Sequence, residues 1–445
     1  MIKLNKLKRI FTHEGGRGRR FTPEEELRRT LMNCLLWEDQ FYEDGVTIAQ
    51  RMAMLVPKVS PATCAALAIE AREAMKLRHA PLLILREMAR HEGHRKLVAD
   101  TLDRIIQRPD ELTEFLAIYW ADALGPLEQR KKQPVSAQVK KGLAKALTKF
   151  DAYQLAKYDR DGAVRIRDVL FLVHAKPKDG DQEKVWKQLI DGTLAAPDTW
   201  EVSLSSGKDK RETFERLIAE KKLGSLALLR NLRLMQKEGV PHDTIAGAID
   251  AMRTDRVLPF RFITAARYAP DFEPELEEAM LKSIAGLAKL RGTTRLLIDV
   301  SGSMDMQLSV QSDMTRLEAA CGLAILAREV CEKVEIWTFS NQVVKVPSRR
   351  GFALRDAIVA SQPHAGTYLG KAVAEIDRKD ARLIAFTDEQ SHDTVPAPKG
   401  TGYMINVASY QHGVSSGAWR RVDGFSEAVI AWIEAQEAGA SDRKV

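Results

Sequence analysis

The sequence predicts two architectures in one chain: an α-helical repeat of the solenoid kind over residues 1–291, followed by a doubly wound α/β domain over residues 292–445. Three observations carry this. At 445 residues the chain exceeds what one hydrophobic core usually serves. From about Phe21 to Leu290 apolar residues recur at three- and four-residue steps, the spacing of amphipathic helices. Beyond Gly292 short apolar runs of strand type alternate with helical stretches, the signature of a parallel sheet covered by helices.

The helical part begins with a start signal. Thr22 is placed to cap, Pro23 fits the first helical position, and Glu25 completes a capping box. Ser60-Pro61 repeats the device, and Cys64, Leu67, Ala68, Ala71, Ala74 and Met75 then form one apolar stripe. Leu226, Leu229, Leu232 and Met235 form another. Helices of this length joined by short turns bury their stripes by stacking side by side, so a HEAT-like solenoid of irregular helical pairs follows. A compact helical bundle fits the same pattern, because no exact repeat period is visible.

The second part reads strand by strand. Arg295 to Val300 is a buried-type strand, Met314 to Glu332 a helix, and Val334 to Phe339 a second strand. Helical stretches surround Leu354 and Leu369. Strands at Leu383–Thr387 and Tyr403–Val407 and a closing helix at Glu427–Glu437 complete the alternation. In such sheets ligands sit beyond the carboxyl ends of the strands.

Charge is unevenly divided. The residues before Thr294 carry 51 Lys and Arg against 42 Asp and Glu, a net +9, whereas those from Thr294 onward carry 17 against 19, a net −2. A basic excess confined to one part suits a polyanionic partner, although a merely solvated charged surface gives the same count. The four cysteines, Cys34, Cys64, Cys321 and Cys331, lie far apart with no metal or redox spacing and read as buried thiols. The basic start MIKLNKLKRIF lacks the apolar stretch of a signal peptide, and no run approaches the ~18 residues of a membrane span, so a cytoplasmic protein without membrane contact is expected.

Asp299-Val300-Ser301-Gly302-Ser303 lies where the first strand ends. Gly302 permits a tight turn, and the Asp and two Ser present hard oxygen donors to one point. Ala365-Gly366-Thr367 adds a hydroxyl, and Phe386-Thr387-Asp388 ends a later strand with a second carboxylate. Such oxygens suit Mg²⁺, or Mn²⁺, which take about six near octahedral geometry. No His or Lys base is placed beside the serines, and no GxSxG elbow, P-loop or GxGxxG fingerprint occurs, so the chain reads as non-enzymatic.

This constellation resembles the metal-ion-dependent adhesion site (MIDAS) of von Willebrand factor A (vWFA) domains, a DxSxS motif followed by a Thr and an Asp on separate loops; all five positions match. The resemblance implies that Ser301, Ser303 and Thr367 bind the ion directly, that Asp299 and Asp388 act directly or through water, and that an open sixth position accepts an acidic group from a protein partner. The same loops also fit a fold that has kept their shape with a vestigial ion.

Several segments further resemble Ro-type RNA-binding proteins, the TROVE-domain family. They are Glu14-Gly15-Gly16, Leu27-Arg28-Arg29-Thr30-Leu31, the stretch from Lys157-Tyr158 through Arg167-Asp168-Val169-Leu170 to His174-Ala175-Lys176-Pro177-Lys178, Thr199-Trp200-Glu201-Val202-Ser203, Ala227-Leu228-Leu229-Arg230-Asn231-Leu232 and Leu258-Pro259-Phe260-Arg261-Phe262. The likeness covers nearly the whole chain in family order. It implies helical repeats folded into a ring closed by the A-type domain, a monomer that forms a ribonucleoprotein with small noncoding Y-type RNA on its outer surface. It also implies passage of misfolded RNA 3′ ends through the ring in RNA quality control. An exoribonuclease such as polynucleotide phosphorylase is the implied protein partner.

Residue by residue, the family's outer RNA site maps onto Lys157, Arg160 and His174. Arg160 is flanked by acidic residues and sits one position out of register, and His174 ends an apolar helical stretch, where a structural histidine reads equally well. Arg17, Arg19 and Arg20 form the densest basic cluster, either an RNA-contacting arm or a disordered segment. Arg230 and Asn231 read as structural, pinning one helix to its neighbour. An adaptor that uses its ion to hold a protein partner, with RNA irrelevant, is the competing reading.

Overall fold

The computed structural model describes residues 21–32, 45–73, 77–121, 134–162, 164–205, 207, 209–254, 257, 259–286, 289–309, 312–408, 413–414, 417–423, 429, 433 and 437. The chain folds as two compact units. One comprises residues 23–32 and 46–208, and the other takes in residues from Asp209 onward.

The first unit is helical: α1 (Pro23–Met32), α2 (Gly45–Leu55), α3 (Pro61–Glu73), α4 (His79–Arg90), α5 (Arg95–Ile105), α6 (Asp110–Tyr119), α7 (Ala137–Leu147), α8 (Ala152–Tyr158), α9 (Ile166–Val173), α10 (Gly180–Asp191) and α11 (Trp200–Ser205). The starts follow the sequence signals. α1 opens at Pro23, and at α3 the Ser60 hydroxyl accepts from Thr63 N at 3.1 Å, supplying a partner for one of the free amides of the first turn. α4 is buried from Ala80 to Ala89 because α3, α5 and α6 surround it. α5 and α7 approach so closely that a Cβ on Gly142 would lie 2.8 Å from the Ala99 carbonyl oxygen. A buried ion pair, Arg72 Nη2 to Glu111 Oε1 at 2.5 Å, ties α3 to α6, while the second oxygen of Glu111 accepts from the amides of Gln107 and Arg108.

The second unit opens with five helices, α12 (Lys210–Ala219), α13 (Ser225–Lys237), α14 (His242–Asp250), α15 (Pro259–Tyr268) and α16 (Glu273–Ile284). They pack as successive neighbours, α13 on α14 and α15, and α14 and α15 on α16. Of the stripe expected on α13, Leu229, Leu232 and Met235 are buried, joined by Leu228, while Leu226 is 47% exposed. Asn231 is buried and its side chain donates to the Ala227 carbonyl of its own helix at 2.8 Å, whereas Arg230 is exposed.

The sheet follows: β1 (Leu290–Asp299), the short hairpin β2 (Gln307–Ser309) and β3 (Ser312–Thr315), α17 (Arg316–Val330), β4 (Cys331–Phe339), β5 (Val343–Val346), α18 (Gly351–Val359), α19 (Leu369–Ile376), β6 (Arg382–Thr387), β7 (Gly402–Asn406) and β8 (Arg420–Asp423). The six-stranded order is β5-β4-β1-β6-β7-β8, parallel except for β5, which runs antiparallel to β4 at one edge. Every residue of β6 and β7 is buried, as their unbroken apolar runs require. The expected helix at Met314–Glu332 is shorter at both ends, because Met314 and Thr315 belong to the hairpin and Cys331 already starts β4. The expected closing helix at Glu427–Glu437 lies almost wholly outside the described residues.

Helix gives way to strand between Ile284 and Leu290, while the packing divides earlier, at Lys208, because α15 and α16 pack on α17, and α16 also on α18. Phe260 of α15 packs on Leu308, Met314 and Ala319, and Gly322 lets α17 approach Phe260 and Ile263.

Candidate functional site

β1 sends the chain across α17 to β4 on one side, and the chain then returns through α18 and α19 to β6 on the other. The carboxyl ends of β1 and β6 therefore flank the point where the order reverses, the usual place of a ligand site in such sheets. Ile298 pairs with Phe386, which sets Asp299 beside Thr387 and Asp388.

The structure brings the five expected donors to this end of the sheet, on three loops tied together by hydrogen bonds. Gly302 N donates to the Ala365 carbonyl at 2.9 Å, joining the Asp299–Ser303 loop to that of Thr367. Ser340, just past β4, braces the same loop: its hydroxyl donates to the Gly366 carbonyl at 3.0 Å and accepts from Ala365 N at 2.9 Å. The Thr367 carbonyl accepts from His392 N at 2.9 Å and from the Ser391 hydroxyl at 3.2 Å.

Asp299 and Asp388 are both fully buried. Asp299 accepts from Ser301 N at 2.9 Å on one oxygen and from the Thr387 hydroxyl at 2.6 Å on the other. Burial, and after it the Asp388 carboxylate, push the Asp299 carboxyl up to about 7, opposed by the hydrogen bonds from Ser301 and Thr387. Asp388 accepts from Gln390 N at 3.1 Å. Ser301 Oγ and Ser303 Oγ lie 3.2 Å apart, close to the ~3 Å edge of an octahedron built on Mg–O distances of about 2.1 Å. Two carboxylates and three hydroxyls form a hard-oxygen set that fits Mg²⁺ or Mn²⁺. Among the described residues no three His, Cys, Asp or Glu side chains gather that could hold a metal ion.

Two residues at this site carry no role in the sequence reading. Thr387 was legible only as the residue before Asp388. Arg316, the first residue of α17, is 2% exposed, and its Nη1 lies 3.4 Å both from Asp388 Oδ2 and from the Ser303 carbonyl. No sequence signal marks a charged residue at a helix start as buried.

The expected RNA-contacting residues are placed differently. Lys157 sits in the last turn of α8, half-buried, its ammonium 5.8 Å from the centre of the Tyr158 ring. The other face-on cation of that ring is Arg108, at 4.6 Å. Arg160 is exposed just beyond α8. His174 ends α9 in the left-handed conformation, φ 51 and ψ 43, and is exposed. Among the described residues no hydrogen bond or ion pair joins these three. Phe171 on α9 and Tyr153 on α8 stand 55% and 53% exposed in the same two helices. Arg17, Arg19 and Arg20 lie outside the described residues.

Residues 193–365 match the family model of the TROVE domain. The match covers less than half of the chain. The matched stretch runs from before α11 through Asp299, Ser301 and Ser303 and stops short of Thr367. In three dimensions the chain is similar to the crystal structure of the Deinococcus radiodurans Ro (RSR) protein. The TM-score is 0.60 at 18% identity, covering 92% of this chain and 98% of that one. That likeness gives the fold, helical repeats with an A-type α/β domain, as the sequence led one to expect. No curated protein matches the chain in sequence. Among the described residues no helix is long and apolar enough to cross a membrane.

Proposed function

We propose that this protein is an RNA-binding protein of the TROVE kind and catalyses no reaction: it holds small noncoding Y-type RNA and misfolded RNA 3′ ends as a ribonucleoprotein in RNA quality control. The observation that carries the reading is the TROVE match over residues 193–365. The net +9 of the residues before Thr294 supports it, since cations that neutralise phosphates release counterions and bind more strongly for it. In this reading residues 1–291 are the RNA-binding part and residues 292–445 the A-type part, working as a cytoplasmic monomer to which an exoribonuclease such as polynucleotide phosphorylase docks.

Lys157 and Arg160 meet phosphate, and His174 bonds phosphate or stacks on a base, with Tyr153 and Phe171 offering further stacking faces. Arg17, Arg19 and Arg20 form an RNA-contacting arm. Asp299, Ser301, Ser303, Thr367 and Asp388 hold Mg²⁺, with Mn²⁺ as substitute; the ion, when bound, supplies a coordination position for a carboxylate. The chain's own work there is to fix three loops by backbone bonds and to keep Ser301 and Ser303 at octahedral spacing.

The test is RNA affinity against salt. Binding of a structured small RNA is expected to weaken by about a thousandfold or more between 50 and 200 mM salt, as ~6 phosphate contacts require. Salt-independent or undetectable binding sinks the reading. The oxygen cluster favours a second reading, an adaptor that captures an acidic protein partner through its ion. There, a chelator abolishes partner capture and RNA has no effect.

A further inference from the structure

We infer that Arg316 is a resident cation of the oxygen cluster, one that shares Asp388 with a divalent ion and lowers the affinity for it. The inference rests on reading Asp299, Ser301, Ser303, Thr367 and Asp388 as an ion site. It adds what controls occupancy.

Arg316 stands where an arginine is costly. It is the first residue of α17, next to the free amides that already make a helix start positive, and it is 2% exposed. A buried guanidinium persists only with an anion or with carbonyls to receive its protons. It has both: Ser303 supplies the carbonyl and Asp388 the carboxylate, each at 3.4 Å from Nη1. The helix start itself is capped independently, with Thr315 and Glu318 forming a capping box, so Arg316 has no capping task. Its backbone amide donates to the Met306 carbonyl at 3.0 Å, which fixes the side chain's root against the far end of the Ser301–Asp305 segment.

The consequence is electrostatic. One oxygen of Asp388 is engaged by Gln390 N, and the other faces the guanidinium. A divalent ion placed among Ser301, Ser303 and Asp388 therefore meets a fixed positive charge that borders two of its three neighbours. Like charges at this range in a dry site disfavour each other strongly. Without the ion, the same arginine neutralises Asp388 and keeps the loops together. The cluster is built to stand with or without the metal, and the ion enters weakly.

The experiment is a titration of the full-length protein with Mn²⁺ alone, free Mn²⁺ being read by its paramagnetic resonance signal, for the wild type and for Arg316→Gln. Glutamine keeps a donor and removes the charge. Expected is binding about ten- to a hundredfold tighter in Arg316→Gln. Equal or weaker binding in the variant overturns the role of Arg316 while leaving the ion site standing. If Mn²⁺ binds neither protein, the ion site and this inference both fall. A second measurement needs only the wild type, its thermal midpoint in chelator and in millimolar Mg²⁺. The two are expected to agree within about 2 °C, since a weakly held ligand stabilises little. A large drop in chelator shows that Arg316 does not substitute for the ion, and overturns the inference.

Discussion

The Thr387 hydroxyl donates to Asp299 at 2.6 Å, with both side chains fully buried, and this bond joins the ends of β1 and β6. Asp299 opens the DxSxS motif and Thr387 directly precedes Asp388, so the bond sets the two carboxylate-bearing strands side by side. Removing it leaves a buried carboxyl group one partner short, a loss of about 1–3 kcal/mol. Thr387→Val, nearly the same shape, is expected to lower unfolding stability by that amount in denaturant titrations, and Thr387→Ser to recover most of it. An unchanged midpoint in Thr387→Val would mean that the bond does not hold the site.

Gly142 permits the crossing of α5 and α7, since its own Cβ would press on the Ala99 carbonyl oxygen and lie 3.0 Å from Leu102 Cβ. The obstacle is backbone, which cannot swing aside. Gly142→Val is expected to cost about 1–3 kcal/mol or more, as overpacking does. Gly93, with open space around it, serves as the control for a glycine-to-alanine change. A neutral Gly142→Val would show that the two helices are free to separate.

Cys64, Cys321 and Cys331 are buried, and burial raises all three thiols, Cys64 to about 11. For Cys64 the Glu24 charge adds to the rise, and for Cys321 the Glu318 charge does. Raised thiols stay protonated at pH 8, and the thiolate is the nucleophile. In the native protein these three are therefore expected to react with dithionitrobenzoate only as fast as the protein opens, and at once in denaturant. Rapid native labelling of any of them, located by peptide mass, would contradict the packing.

What the sequence disclosed follows from which interactions are local. The runs Leu383–Thr387 and Tyr403–Asn406 read as strands because both faces are covered, which leaves no polar alternation to confuse them. The DxSxS loop and Asp388 fall at strand ends, and Thr367, in the loop before α19, was picked out with them by the resemblance to the adhesion-site motif. β5 and the β2–β3 hairpin were not legible, being three or four residues long and held by their antiparallel partners rather than by pattern. On α13 the stripe was legible from Leu229 through Leu232 to Met235, and only its first member, Leu226, lies outside the buried face. Arg316 is the plainest case of what was not legible. A charged side chain at a helix start reads as solvated, and only the fold brings Asp388, 72 residues on, to its guanidinium.

The central claim, that this protein carries RNA, is tested most directly by purifying it from its own cells without nuclease, crosslinking, and sequencing the bound RNA. A Lys157→Ala/His174→Ala variant is processed beside it. The account expects a discrete structured small RNA with the wild type and its loss in the variant; RNA no higher than background with the wild type would contradict it.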